Sequence, residues 1–429
     1  MAATKTIVFF PEAALGPALN SVGIAQACRD LGHGCVFVAD SGFKGMFAAY
    51  GFEERLIHMS EPMSAEQTAR YWQDFITAQL PAFRTSPFEQ IDSYVKACWD
   101  AIVETAVWAE KELPATLAAI KPDLVCIDNV VLFPATKRAG VPWVRIISCS
   151  ENEIEDPDIP PHLSGCGEND HAGFARYRAR FLEVIEPIHD RFNGFLGQCG
   201  HPPYPEGQFF EASPWLNLLL YPEPVKFRRR HPLDPARFQY LEGCVREEPP
   251  YQVPAFGANR DKPLLYISFG SLGSSDVELM KRLIAALGRL PYRVLMNVGD
   301  QIAAYTEVPA NVHLEAFYPQ PSVIPLVDGV IHHGGNNSFT ECLYFGKPAL
   351  ILPYCWDGHD NATRIQETGH GLKLDRYGWT EAELGQALAR LVGDKAMAKQ
   401  LAATSAHMRK ADGRRKAARL LDGLLAKGG

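Results

Sequence analysis

Short unbroken apolar runs alternate along this chain with longer stretches in which apolar residues recur at helical spacing, the pattern of strands buried on both faces and joined by helices. Residues 6–10 form the first such run. A turn bounded by Pro11 and Pro17 follows, then a helix whose apolar face carries Leu19, Val22, Ala25 and Cys28 and which ends at Gly32 and His33. Apolar runs return at 35–38, 123–127 and 143–147 with helical stretches between, which predicts a parallel, doubly wound sheet. After a passage rich in proline and charge the alternation starts afresh at 264–269 and continues at 292–296, 312–314, 330–331 and 348–352. The pattern predicts two α/β domains: an N-terminal one over 1–245, a linker over 246–262, a second domain over 263–408, and a final Ala/Leu/Arg/Lys helix over 409–429.

Composition sharpens this picture. A chain of 429 residues, 47% hydrophobic and 21% charged, can bury two large cores and is too long for one ordinary domain. A net charge of −8 argues against nucleic acid or an anionic membrane as the main partner, since either demands concentrated basic surface. The triplet Arg228, Arg229 and Arg230 is too short to change that and is expected to be a solvated linker. Ten cysteines are scattered without a CxxC pair, no hydrophobic leader precedes the first strand, and no apolar run approaches the ~18–20 residues of a membrane span. Reduced thiols and a soluble, cytoplasmic protein without stable membrane insertion are the expectation. Aromatic residues crowd 60–110 and 152–215, among them Trp72, Phe75, Phe83, Trp99, Trp108, Phe174, Phe181, Phe209, Phe210 and Trp215. Most are expected in the core, and some along an apolar pocket for a small molecule.

The densest chemistry lies in 317–362. A short buried strand ending at Val330 and Ile331 runs into His332, His333, Gly334, Gly335, Asn336, Asn337 and Ser338, and then into a helix over 339–345. Such a turn binds anions well: helix N-terminal amides point outward, the helix dipole is positive there, and glycine lets backbone approach phosphate oxygens. His333, Asn337 and Ser338 can add side-chain donors to a diphosphate. Glu341, one turn into the helix, would repel phosphate but can accept hydrogen bonds from ribose hydroxyls. A second strand, 348–352, ends in Pro353, Trp356 and the polar group Asp357, Gly358, His359, Asp360 and Asn361, suited to the hydroxyls of a hexose. Blander roles stand beside these. Gly334 and Gly335 could make a tight turn only, Phe317 could be core, Ser271 could cap a helix, His332 could be packed, and His359 and Asp360 could form a surface turn.

In this segment the chain resembles the family 1 glycosyltransferases, which include plant and vertebrate UDP-glycosyltransferases and bacterial antibiotic glycosyltransferases. The resemblance rests on Phe317-Tyr318-Pro319-Gln320, His333 to Ser338, Glu341, and Asp357 to Ala362, with Phe269-Gly270-Ser271 matching the Phe–Gly–Ser after the first strand of that family's donor domain. It implies the GT-B fold, two facing doubly wound Rossmann-like domains with the ligands in the cleft between them and a last helix packed back on the N-terminal domain. It also implies roles. Phe317 would stack on the base and Gln320 bind the nucleoside; Ser271, His333, Asn337 and Ser338, with the Gly335-Asn336 backbone of the same loop, would hold the diphosphate. Glu341 would hold the ribose and Asp357 the sugar. An acidic ribose contact favours UDP over dTDP, which lacks the 2′-hydroxyl. Gly358 stands where the family usually has a sugar-binding glutamine.

Glycosyl transfer needs an acceptor made nucleophilic, a stabilised leaving diphosphate and a sugar held in line; positioning and electrostatics can supply these without a metal or other cofactor. Direct displacement inverts the anomeric centre. The resembling family places its basic histidine before the first helix, where this chain has Gly16 followed by Pro17. Asp128, which ends the strand 124–127, matches the aspartate that orients that histidine and is the leading candidate for the base, with Glu12, His162 and His171 behind it. Its bland alternative is a buried helix cap near Phe133. The expected function is an inverting, metal-independent transfer of a hexose, glucose foremost, from a UDP-sugar to a hydroxyl of a lipophilic or aromatic small molecule. The alternatives are a nucleotide-sugar epimerase and a catalytically silent helper that binds sugar nucleotides, the latter suggested by Pro17.

Overall fold

The computed structural model describes residues 4–427, apart from the side chains of Leu15, Ala65, Thr68, Ala69, Trp72, Gln73 and Ser271. The expectations placed on the Trp72 and Ser271 side chains therefore lie outside the described residues. Seven strands build the first sheet: β1 (Thr6–Pro11), β2 (Gly34–Asp40), β3 (Glu53–Ile57), β4 (Leu124–Asp128), β5 (Trp143–Ile147), β6 (Leu216–Leu219) and β7 (Phe238–Tyr240), in the order β3-β2-β1-β4-β5-β6-β7. Six build the second: β8 (Leu264–Ser268), β9 (Arg293–Asn297), β10 (Val312–Glu315), β11 (Gly329–His332), β12 (Ala349–Ile351) and β13 (Gly371–Lys373), in the order β10-β9-β8-β11-β12-β13. Every pairing is parallel. The predicted doubly wound sheets are thus present.

The strand order reverses between β1 and β4 and again between β8 and β11, and at such switch points an open sheet has its ligand crevice. Register brings Pro11 opposite Asp128 in the first sheet and Ser268 opposite His332 in the second. The chain therefore leaves each crevice from two neighbouring strand ends. Four strands went unread in the sequence. β3, β7 and β13 are edge strands, and β3 opens with Glu53, Glu54 and Arg55 and alternates in exposure because one face meets solvent. β6 is buried throughout, but it is four residues long and interrupted by Asn217, whose amide is satisfied by Ser213.

The terminal helix Gly413–Ala426 crosses back to the first domain and buries Ala417, Ala418, Leu421 and Leu425 in one core with Ile7, Phe9, Val22 and Ile24. Gly413 permits the crossing, for a Cβ there would lie 1.6 Å from the Leu241 carbonyl oxygen. The basic triplet differs from expectation. Arg229 is no solvated linker residue: its Nε lies 2.9 Å from Glu151 Oε1 and its side chain is 4% exposed, because the fully buried Glu151 carboxylate needs a counter-charge.

Candidate active site

The glycine loop after β11 is the hinge of the site. His332 is sealed in the core, where its Nδ1 accepts the Gly334 amide at 3.0 Å and burial pulls its imidazole down to about 3, the packed role. His333 turns the other way. Its ring abuts Gly270 in the loop after β8, its Nδ1 has no partner, and burial, aided by Arg376, pulls it down to about 4. It is a neutral hydrogen-bonding group at neutral pH. The helix starts at Asn336, three residues before the predicted 339, and runs to Phe345 with Gly335 as N-cap, so the cap residue itself bonds none of its first amides. One of them, that of Asn336, donates to Asp357 Oδ2 at 2.9 Å.

Gln320, Ser338 and Glu341 come together as read from the sequence. Gln320 Nε2 donates to Ser338 Oγ at 3.0 Å and to Glu341 Oε2 at 2.6 Å. Phe317, just after β10, is 60% exposed, an open aromatic face rather than core. Arg246 joins this group from the linker. It pairs with Glu248 at 2.5 Å and with Glu341 at 3.4 Å, both contacts buried. No sequence signal pointed to it, since Arg246, Glu247 and Glu248 read as part of a linker rich in proline and charge.

The two asparagines of the loop reach across the cleft. Asn336 Nδ2 donates to the carbonyls of Ser148 at 2.7 Å and Leu220 at 2.8 Å, just beyond β5 and β6. Asn337 Nδ2 donates to the Gly16 carbonyl at 3.0 Å, next to Pro17. The space bounded by Leu19, Asn20, Arg246, Asn336, Asn337 and Glu341 is only ≈ 10 Å³, room for about one water at most. The domains are closed on one another here.

Asp357 is buried, and its carboxyl is pushed well above the usual range by burial first and by the charges of Asp360 and Glu12 next. Gly358 begins the following helix against the glycine loop: a Cβ on it would stand 2.6 Å from the His333 carbonyl oxygen. His359 and Asp360 do not form a surface turn. Both are buried; the Leu163 and Gly165 amides donate to the two Asp360 oxygens at 2.7 Å each, and His359 meets Gln90 at 3.1 Å, so this turn clamps the first domain.

Facing Asp357 from the first domain are the residues around Asp128. This aspartate is 3% exposed and caps no helix: the nearby helix Pro134–Arg138 has Phe133 at its N-cap without a side-chain bond. Burial raises the Asp128 carboxyl well above its usual range, hydrogen bonds from Ser148 and Ser21 (3.4 Å) oppose that, and the charges of Glu12 and Glu153 add to it. Glu12, half-buried on the turn after β1, is lifted to about 7 by burial and then by Glu153. Glu153 in turn pairs with Arg145 at 2.5 Å. Neither Glu153 nor Arg145 was legible, because a 3-10 turn and an inward-facing strand position bring them to the cluster. His162 is half-buried and held down at about 3, with Nδ1 3.1 Å from Ser150 Oγ; His171 opens an exposed helix turn.

Comparison with known proteins agrees with this geometry. Residues 281–413 match the family model described as Erythromycin biosynthesis protein CIII-like, C-terminal domain. The chain is similar to the NDP-glycosyltransferase YjiC of Bacillus subtilis (strain 168), 26% identical over 312 residues that cover 72% of this chain and 74% of that protein. The solved structure of the glycotransferase of kitacinnamycin superposes with a TM-score of 0.72 at 20% identity, covering 99% of this chain and 100% of the other. The glycosyltransferase VinC in complex with DTDP does so with a TM-score of 0.67 at 19% identity, covering 98% and 100%. The fold is GT-B, two facing Rossmann-like domains. Within that fold its sequence and structural matches are to glycosyltransferases, several of them named for natural products. No described helix is long and apolar enough to cross a membrane.

Proposed function

We propose that the protein transfers a hexose, glucose foremost, from a UDP-sugar to a hydroxyl of a lipophilic or aromatic small molecule, with inversion and without a metal. The observation that carries this reading is the meeting of the two switch points. Glu12 and Asp128 at the strand ends of the first sheet face Asp357 and the glycine loop of the second, closely enough that the Glu12 charge raises Asp357. An acceptor hydroxyl beside the first pair lies in line with a sugar on Asp357 and a diphosphate on the loop. Its oxygen forms the bond to the anomeric carbon as the bond to the diphosphate breaks, the electron pair leaves with the UDP, and the proton passes to the Glu12–Asp128 pair. We assign the base function to that pair, with Asp128 as the residue read from the sequence and Glu12 as its half-buried partner, because coupled carboxylates titrate together. Pro17 supplies no base.

Glu341 supports UDP as the donor nucleotide, since a carboxylate beside Gln320 suits a ribose 2′-hydroxyl. The natural-product names of the neighbours support a small-molecule acceptor. The test is incubation with UDP-glucose and a panel of phenols and alcohols, with products read by mass spectrometry and anomeric configuration by NMR. Inverted glycosides are expected. An epimerised nucleotide would establish the epimerase reading, binding without turnover the silent helper, and turnover with dTDP-glucose alone would overturn the choice of nucleotide.

A further inference from the structure

We propose that Arg376 is the cation that stabilises the donor's diphosphate from beneath the two loops that hold it, a positioning role resting on the donor-site reading above. Arg376 follows β13 and is 2% exposed. Its guanidinium lies 4.7 Å from the ring centre of Phe269 and 4.5 Å from that of Tyr354, while Nη2 donates to the Gly273 carbonyl at 3.1 Å and Nε to the Tyr377 hydroxyl at 3.4 Å. Its Nη1 is buried with no partner. Among the described residues no carboxylate comes within ion-pairing distance of it.

A buried charge without a counter-ion is costly, and burying one beside an anion site makes sense when the anion is the counter-ion. Both walls of the diphosphate site touch Arg376 or its immediate neighbours. The turn Gly270–Gly273 receives its hydrogen bond, and His333 sits 5.3 Å, ring centre to ring centre, from the Tyr354 ring on which the guanidinium lies. The arginine's charge reaches His333 and helps keep that imidazole neutral. A neutral His333 can donate a hydrogen bond but brings no charge to meet an incoming dianion. Arg376 supplies the missing positive charge, and its planar fork stays pre-organised between the two rings.

The test compares UDP with uridine. Dissociation constants for both are measured by calorimetry on the full-length wild type, Arg376→Met and Arg376→Lys, alongside thermal melts. In Arg376→Met, UDP affinity is expected to fall roughly 10–100-fold while uridine affinity holds, and Arg376→Lys should fall between wild type and Met for UDP only. Equal weakening of UDP and uridine, or no change in either, overturns the assignment. If Arg376→Met does not fold, the lysine variant decides: a loss confined to UDP supports the role, and a loss shared with uridine, or none, overturns it. Wild-type protein that binds neither UDP nor dTDP sinks the donor-site reading and this proposal with it, whereas intact UDP binding in Arg376→Met sinks the arginine's role alone.

Discussion

Gly358 is a glycine because a backbone carbonyl stands where its side chain would start. The sequence showed only that a usual glutamine was missing; the structure shows that a Cβ there would meet the His333 carbonyl at 2.6 Å, so the helix approaches the glycine loop more closely than any side chain allows. Gly358→Gln is therefore expected to destabilise by about 1–3 kcal/mol and to weaken UDP-glucose binding rather than restore a sugar contact, as a melt and a titration would show. At the opposing wall, Asp128→Asn should lower turnover by roughly 10²–10⁴-fold with little effect on UDP affinity, and wild-type turnover would remove Asp128 from the mechanism. The pH profile carries a second signature. Glu12 is lifted from 4.5 to about 7 and must be ionised to take a proton, so the rate should drop as pH falls below about 7, and Glu12→Gln should abolish or displace that limb. Asp128 was legible because it ends an unbroken apolar run. Glu12 was read only as a weaker alternative base, and Glu153 and Arg145 not at all, since a 3-10 turn and a buried strand position bring those two to the cluster.

Interior strands such as β4, β5, β8 and β11 were readable because a strand buried on both faces is mostly apolar; the edge strands β3, β7 and β13 were not, because solvent on one side mixes polar residues into them. The contacts between elements of different domains left even less trace. Asn336, read as part of a phosphate loop, spends its amide on two carbonyls beyond β5 and β6. Asn336→Ala leaves those carbonyls unpaired and should cost about 1–3 kcal/mol, with faster amide hydrogen exchange around 148–150 and 220–222 as the readout. Asp360 clamps 163–165, and burial raises its carboxyl from 3.8 to about 7. Between those values the folded protein keeps a proton that the unfolded chain has lost, so this contribution is complete below the unfolded value and lost as pH rises through about 7. The Tm advantage of wild type over Asp360→Asn should accordingly shrink as pH rises from about 5 to about 8 in thermal melts.

At the scale of the molecule, the last helix belongs in sequence to the second domain and in space to the first. Leu421→Ala is expected to cost about 2–5 kcal/mol and to lower the denaturant midpoint of the N-terminal core, because Leu421 packs among Ile7, Phe9 and Ile24. By itself the sequence determined what depends on neighbours along the chain: two doubly wound domains, the glycine loop that opens a helix, and the family resemblance of 317–362. Hydrophobic periodicity and turn chemistry are local, so one chain suffices to read them. Tertiary structure alone decided what depends on residues far apart meeting in a low-dielectric cleft. It placed Arg246 on Glu341, set Glu12 against Asp128, turned Asp360 into a clamp, and buried Arg376 without a counter-ion beneath the loops. Charges in such a place take their meaning from distance and burial, and neither is written in the order of residues.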